Sequence, residues 1–230
     1  MPFMFYDYYY LILVVPALLL AMWAQATVSS TFGKYSKVHS LSRLTGEQTA
    51  RRILDANGLH NIRVEHIRGK LTDHYDPSAG VVRLSDSVYF SDSVAAVGVA
   101  AHECGHAVQH SIRYAPLIFR NAIIPVTNFG SKLAIPLFIM GLIFNYPPVS
   151  QLGILLFSLV AVFQLVTLPV EFNASSRALA TLEQFDYLSP SELRGSRKVL
   201  KAAALTYVAA LLVTLTQLLR LILLSRNRRD

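Results

Sequence analysis

The sequence predicts an α+β, predominantly helical membrane protein, because several long apolar stretches surround a shorter polar segment. Of its 230 residues, 53% are hydrophobic and 15% are charged, whereas about a quarter of the residues in soluble domains are charged. Each apolar stretch is near the roughly 20 residues that a helix needs to cross a bilayer. With three or four such spans, about half the chain remains for one modest water-facing core.

The first apolar stretch, residues 8–28, is expected to be a retained membrane anchor. It carries no charged residue, and its tyrosine-rich start and Trp23 suit the two membrane interfaces. A cleaved signal peptide is the alternative. The residues before the stretch contain Asp7 and no Lys or Arg, which argues against it.

Residues 29–115 have the pattern of a water-facing α+β segment. Thr45 and Gln48 form a candidate capping box at the start of a helix, and Gly58 is a suitable residue just after its end. Alternating apolar residues predict strands at 62–67 and 81–84. Residues 73–80, between these strands, have the composition of a turn.

A further helix is predicted to begin at Ser91 or Asp92 and to continue through Gln109. Its first half, residues 94–101, is small and apolar on all sides. A helix of this kind is buried.

Three more apolar stretches follow, near 133–149, at 151–170 and at 202–224. Residues 145–148 read as a short uncharged turn between the first two, which would make them a membrane hairpin. The third stretch either crosses the membrane or lies in its interface, because Arg220 would be poorly tolerated in the middle of a bilayer.

The distribution of basic residues predicts that the polar segments face the cytoplasm. Lys and Arg near span ends favour the cytoplasmic side. Three lie on the opposite side, all in the basic tail that begins at Arg226. If the last stretch crosses the membrane, this basic tail lies outside the cytoplasm and argues against the orientation. Ten lie on the side of the polar segments: Lys34, Lys37, Arg43, Arg113, Arg120, Arg177, Arg194, Arg197, Lys198 and Lys201. The positive charge is thus explained by topology, and no nucleic-acid partner is expected.

Residues 102–106 have the pattern HExxH on the predicted buried helix. His102 and His106 are four residues apart, so both imidazoles lie on one helix face and can bind one Zn²⁺ ion. Glu103 is placed to act as general base on a zinc-activated water. His110 lies about 12 Å along the helix from His102, too far to share the ion. Cys104 is the single cysteine, which excludes an intrachain disulfide and a CxxC site.

A catalytic zinc needs a third protein ligand and one open position. Glu171 is the best candidate, because it directly follows the span that would return the chain to the face it left; Glu183 is a weaker one. Asn173 and Arg177 are candidates for orienting the ligands. Asp73, His74 and Tyr75 precede a predicted strand, where a donor to the reaction oxyanion could lie.

Four separated segments are informative together: residues 73–77 (DHYDP) leading to 82–85 (VRLS), 101–107 (AHECGHA), 171–175 (EFNAS) and 202–209 (AAALTYVA). They resemble the YugP-type membrane neutral zinc metallopeptidases. The layout is more distantly similar to HtpX-type and CAAX-processing membrane proteases, although Ser175 stands where their second motif has Asp. The resemblance implies a zincin-like domain with His102 and His106 as ligands, Glu103 as catalytic residue and Glu171 as third ligand.

The expected function is that of a multi-pass zinc endopeptidase of the cell membrane, with one catalytic ion and a protein or peptide substrate close to the bilayer. The alternative is a zinc-binding membrane scaffold without turnover. An oligomer or a regulatory membrane partner stays open. The expected regions are an anchor at 1–28, the zincin-like domain at 29–115, a transmembrane hairpin at 116–170, the second half of the metal site at 171–201, and a transmembrane or interfacial helix with a basic tail at 202–230.

Overall fold

The computed structural model describes residues 8–226 of the chain. Asp7 and the tail beyond Arg226, used above to judge the anchor and its orientation, lie outside this range. The described part is mostly helical and contains a small three-stranded sheet. A π-helical turn at Tyr10–Val14 continues into α1, and the elements are α1 (Val15–Tyr35), α2 (Gly46–Ala56), β1 (Arg63–Ile67), β2 (His74–Asp76), β3 (Val81–Ser85), α3 (Asp86–Tyr89), α4 (Val94–Ser111), α5 (Ala115–Ile143), α6 (Pro147–Gln184) and α7 (Pro190–Arg226).

The chain forms two compact units, each assembled from separated segments. Among the described residues, the first contains 8–24, 119–168 and 206–226, and the second contains 25–118 and 169–205. The predicted division into five regions follows the sequence order instead and stays a prediction.

The first unit consists of long apolar helical segments. Within residues 8–226, four helices are long and apolar enough to cross a membrane, and at most 28% of the apolar window of each is buried within the protein. Within this unit α5 and α6 pack closely, since a Cβ atom at Gly153 would lie 2.6 Å from the Ala134 carbonyl oxygen. Apolar side chains on the outer surface of such helices suit a lipid environment.

The last three membrane helices are longer than the apolar stretches predicted from the sequence. The second stretch was expected near 133–149, but α5 begins at Ala115 and ends at Ile143, with Pro125 and Pro136 inside it. Proline is tolerated inside membrane helices because neighbouring groups satisfy the freed backbone carbonyls. Helix α6 continues past residue 170 to Gln184, and α7 begins at Pro190 rather than at residue 202.

The second unit has a core formed by α2, α4 and the sheet. The capping box at Thr45 and Gln48 is confirmed, with both reciprocal hydrogen bonds present. Gly58 has a φ of 70°, as the residue after this helix requires. Helix α4 is capped by Ser93, whose hydroxyl accepts from the Ala96 amide, and not by Ser91 or Asp92.

The sheet has the strand order β1-β3-β2, so β3 is its central strand. It pairs in parallel with β1 and antiparallel with β2, so both of its sides are occupied. The predicted turn at 73–80 is wrong in its first part, where His74–Asp76 form β2. Asp73 anchors this connection, because its carboxylate accepts from the Ser85 amide at 2.7 Å and from the Ser85 hydroxyl at 3.0 Å.

Candidate metal centre

Helix α4 carries the two histidines through the middle of the core. Residues on almost every side of it are buried, as its small apolar start predicts. His102 and His106 are one turn apart and only partly buried. Their ring centroids are 4.8 Å apart and the ring planes are nearly perpendicular, at 85°. Both imidazoles therefore face the same side of the helix.

Glu171 reaches these imidazoles from helix α6. The residue is only 4% exposed. Its Oε2 atom lies 3.3 Å from Nε2 of His102 and 3.6 Å from Nε2 of His106. Two segments that are 65 residues apart in sequence thus bring two nitrogens and one carboxylate oxygen together.

The close approach of α4 and α6 depends on Gly105. A Cβ atom at this position would lie 2.8 Å from the carbonyl oxygen of Ala174 and 3.3 Å from its carbonyl carbon. Only glycine therefore allows the two backbones this separation. Ala174 is one turn after Glu171, so this contact sets how far the carboxylate lies from α4.

The donor set fits zinc. One ligand atom from each of His102, His106 and Glu171 lies within 4.8 Å of the others. In a tetrahedral site with Zn–N and Zn–O bonds of about 2.0–2.2 Å, neighbouring donors are about 3.3–3.6 Å apart. The two measured distances to Glu171 Oε2 agree with this spacing. Two imidazoles and a carboxylate are also a ligand set that catalytic zinc sites use.

Further polar residues contact the Nδ1 atoms of the two histidines, whose Nε2 atoms face Glu171. The Ser175 hydroxyl lies 3.1 Å from Nδ1 of His102. Nδ1 of His106 lies 3.0 Å from Oε1 of Gln109, whose amide nitrogen donates to Oδ1 of Asn173 at 3.0 Å. Arg177 in turn donates from Nε to the same Asn173 oxygen at 2.8 Å. The structure therefore connects Asn173 and Arg177 to His106 through Gln109.

Gln109 was missed as a functional residue in the sequence, where it was named only as the end of the predicted buried helix. A signal was present, since a glutamine in a buried apolar helix needs polar partners.

Glu103 is buried beside the first histidine, with 8% of the residue exposed. Burial raises the pKa of its carboxyl above the ordinary value, because a buried carboxylate loses hydration. A carboxylate of raised pKa is better matched to accepting a proton near neutral pH.

The remaining residues considered in the sequence lie in different places relative to helix α4. Tyr75 on β2 reaches α4, with its hydroxyl 3.0 Å from Nδ1 of His110. His74 instead lies against the Thr72 carbonyl oxygen and the Arg83 guanidinium. Glu183 is exposed near the end of α6. Cys104 is fully buried, as expected, and its thiol points to the Ala50 carbonyl oxygen rather than to the histidines.

The described part of the chain combines a ligand set typical of zinc peptidases, held between two helices, with four potential membrane helices. This combination defines a class of membrane metallopeptidases. The model of the family described as "Putative neutral zinc metallopeptidase" matches residues 10–226, and the chain belongs to this family. The chain is also similar to the "Putative membrane protease YugP" of Bacillus subtilis (strain 168). The two are 52% identical over 221 residues, which cover 96% of this chain and 98% of the relative. No solved structure matches the chain.

Proposed function

We propose that this protein is a zinc-dependent membrane endopeptidase with a zincin-like catalytic domain, in which His102, His106 and Glu171 hold one zinc ion. The single observation that carries the proposal is the approach of both Nε2 atoms to Glu171 Oε2, at 3.3 and 3.6 Å. A buried carboxylate between two imidazoles, with no further ligand from Cys104, leaves a position for water in a four-coordinate site.

The reaction follows from the chemistry of these groups. Bound zinc supplies a Lewis acid that activates water for attack on a carbonyl group. Glu103, one residue after His102, accepts the proton of the attacking water and passes it to the nitrogen of the leaving amine. Tyr75 and His110 are candidates to donate a hydrogen bond to the oxygen of the reacting carbonyl.

The substrate is a protein or peptide close to the membrane. β2 is an outer strand of the sheet, and its residue Tyr75 contacts α4. An extended peptide pairing with the free side of β2 would run beside the metal-binding helix. The central strand β3 is not available for such pairing, because both of its sides are already paired.

The test is a Glu103→Gln variant, with zinc content and peptide cleavage measured on the same preparation in detergent. The amide keeps the size of the side chain but accepts no proton, so cleavage should fall at least a hundredfold while zinc stays bound. Substrates trapped by this variant can be identified by mass spectrometry. Unchanged cleavage would refute the role of Glu103, and zinc-loaded wild type without cleavage of any peptide would favour a scaffold.

We further propose that the metal centre faces the cytoplasm, because ten of the basic residues near span ends lie on its side. Lys70 is exposed in the segment before β2. A Lys70→Cys substitution in a Cys104→Ala background supplies one labelling site. A membrane-impermeant maleimide should label it in inside-out vesicles and not in intact cells; the reverse pattern would place the site outside.

A further inference from the structure

We propose that Gln109 selects the tautomer of His106, so that Nδ1 carries the proton and Nε2 presents its lone pair to the metal. This inference rests on the proposed zinc site, but it concerns a positioning residue that the HExxH pattern does not contain. Gln109 is fully buried, with 0% of its surface exposed.

The hydrogen-bond partners fix which end of the Gln109 amide is nitrogen. One partner is the Val170 carbonyl oxygen, 2.8 Å away, which can only accept. The other is Oδ1 of Asn173, at 3.0 Å. That atom must be an oxygen, because Nε of Arg177 donates to it and can do nothing else. The group facing both acceptors is therefore the NH₂ group.

The opposite end of the amide is consequently an acceptor. Oε1 of Gln109 lies 3.0 Å from Nδ1 of His106. An amide oxygen cannot donate, so Nδ1 must carry the hydrogen. A neutral imidazole has one N–H, which leaves Nε2 unprotonated. Nε2 is the atom that lies 3.6 Å from Oε2 of Glu171.

The two histidine ligands differ in this respect. Nδ1 of His102 faces the hydroxyl of Ser175, which can either donate or accept and so selects no tautomer. Gln109 also bonds the carbonyl of Val170, the residue before Glu171. The same side chain thus fixes the protonation of one ligand and the backbone next to another.

The first test compares zinc affinity by chelator competition. Gln109→Met preserves the length of the side chain but removes the amide, and it should weaken zinc binding about 10–100-fold, as loss of such outer partners does. Gln184→Met, the same change at an exposed site of the same unit, should leave the affinity unchanged. Asn173→Asp keeps an acceptor for Gln109 and should lose less than tenfold.

The second test reads the tautomer directly and needs neither zinc nor a variant at position 109. Because the Glu171 carboxylate lies 3.6 Å from Nε2 and would compete for a proton there, the protein used is metal-free Glu171→Ala with ¹⁵N-labelled histidine. It is studied by NMR at a pH where the His106 ring is neutral, with the signal assigned by its loss when His106→Asn is added. A protonated Nδ1 and an unprotonated Nε2 are expected. A ring protonated mainly at Nε2 would overturn the inference, as would a Gln109→Met variant with unchanged zinc affinity. Absence of zinc binding in the wild type would refute the proposed function, while the NMR result would still decide the inference.

Discussion

Gly105 lies where α4 and α6 are closest, and replacing it with alanine should open the metal centre. The added Cβ would be 2.8 Å from the Ala174 carbonyl oxygen, whereas ordinary contact begins at 3.4 Å, so the two backbones must separate by about 0.6 Å. Zinc sites tolerate deviations of about 0.2 Å in ligand distance. Because Glu171 is one turn before Ala174, we expect Gly105→Ala to weaken zinc binding at least tenfold. Overpacking of this kind also costs about 1–3 kcal/mol of stability.

The assay is chelator competition for zinc, combined with thermal unfolding of the metal-free protein in detergent. Gly33→Ala is the matched control, since a Cβ at Gly33 meets no atom within 4 Å. That variant should keep its zinc affinity and gain about 0.5–1 kcal/mol, because alanine is the better helix former. A Gly105→Ala protein with wild-type zinc affinity would refute the claim that this contact sets the position of Glu171.

Three further outcomes are expected. Thr45→Ala removes the hydrogen bond to the Gln48 amide and should lower stability by about 0.5–2 kcal/mol in unfolding experiments, without changing zinc affinity. The Arg83 hydrogen bond holds the pKa of the Asp76 carboxyl below its unfolded value. The stabilisation that this hydrogen bond gives the folded protein is therefore full above the pKa of unfolded Asp76 and is lost as the pH falls through the pKa in the folded protein. Asp76→Asn should make the stability of the protein fall less steeply in acid, as unfolding measured against pH can show. Burial raises the pKa of the Cys104 thiol, so alkylating reagents should modify it only after unfolding, as mass spectrometry can follow.

The elements that the sequence predicted best are those determined by local chemistry. The capping box at Thr45 and the buried character of α4 depend on short patterns, and both are present in the structure. The meeting of Glu171 with the two histidines was predictable for a different reason. A hairpin of two spans must return the chain to the membrane face that it left, which brings both halves of the site to one side.

The features that were missed depend on partners distant in sequence. β2 has only three residues and is a strand because it pairs with β3. The turn-forming residues around it made the sequence look like a turn. The role of Gln109 depends on Val170 and Asn173, more than 60 residues away. The length of α5 was underestimated because Pro125 and Pro136 normally end a helix in water but are tolerated inside one in a membrane.

The coordination of the metal can be measured directly by X-ray absorption at the zinc edge on purified protein in detergent. With one zinc per chain, we expect two imidazole ligands and only nitrogen or oxygen donors at about 2.0–2.2 Å. Glu171→Ala should weaken binding and change the oxygen shell while both imidazoles remain. A sulfur donor at about 2.3 Å, which would implicate Cys104, or a single imidazole would contradict a zinc ion held by His102, His106 and Glu171.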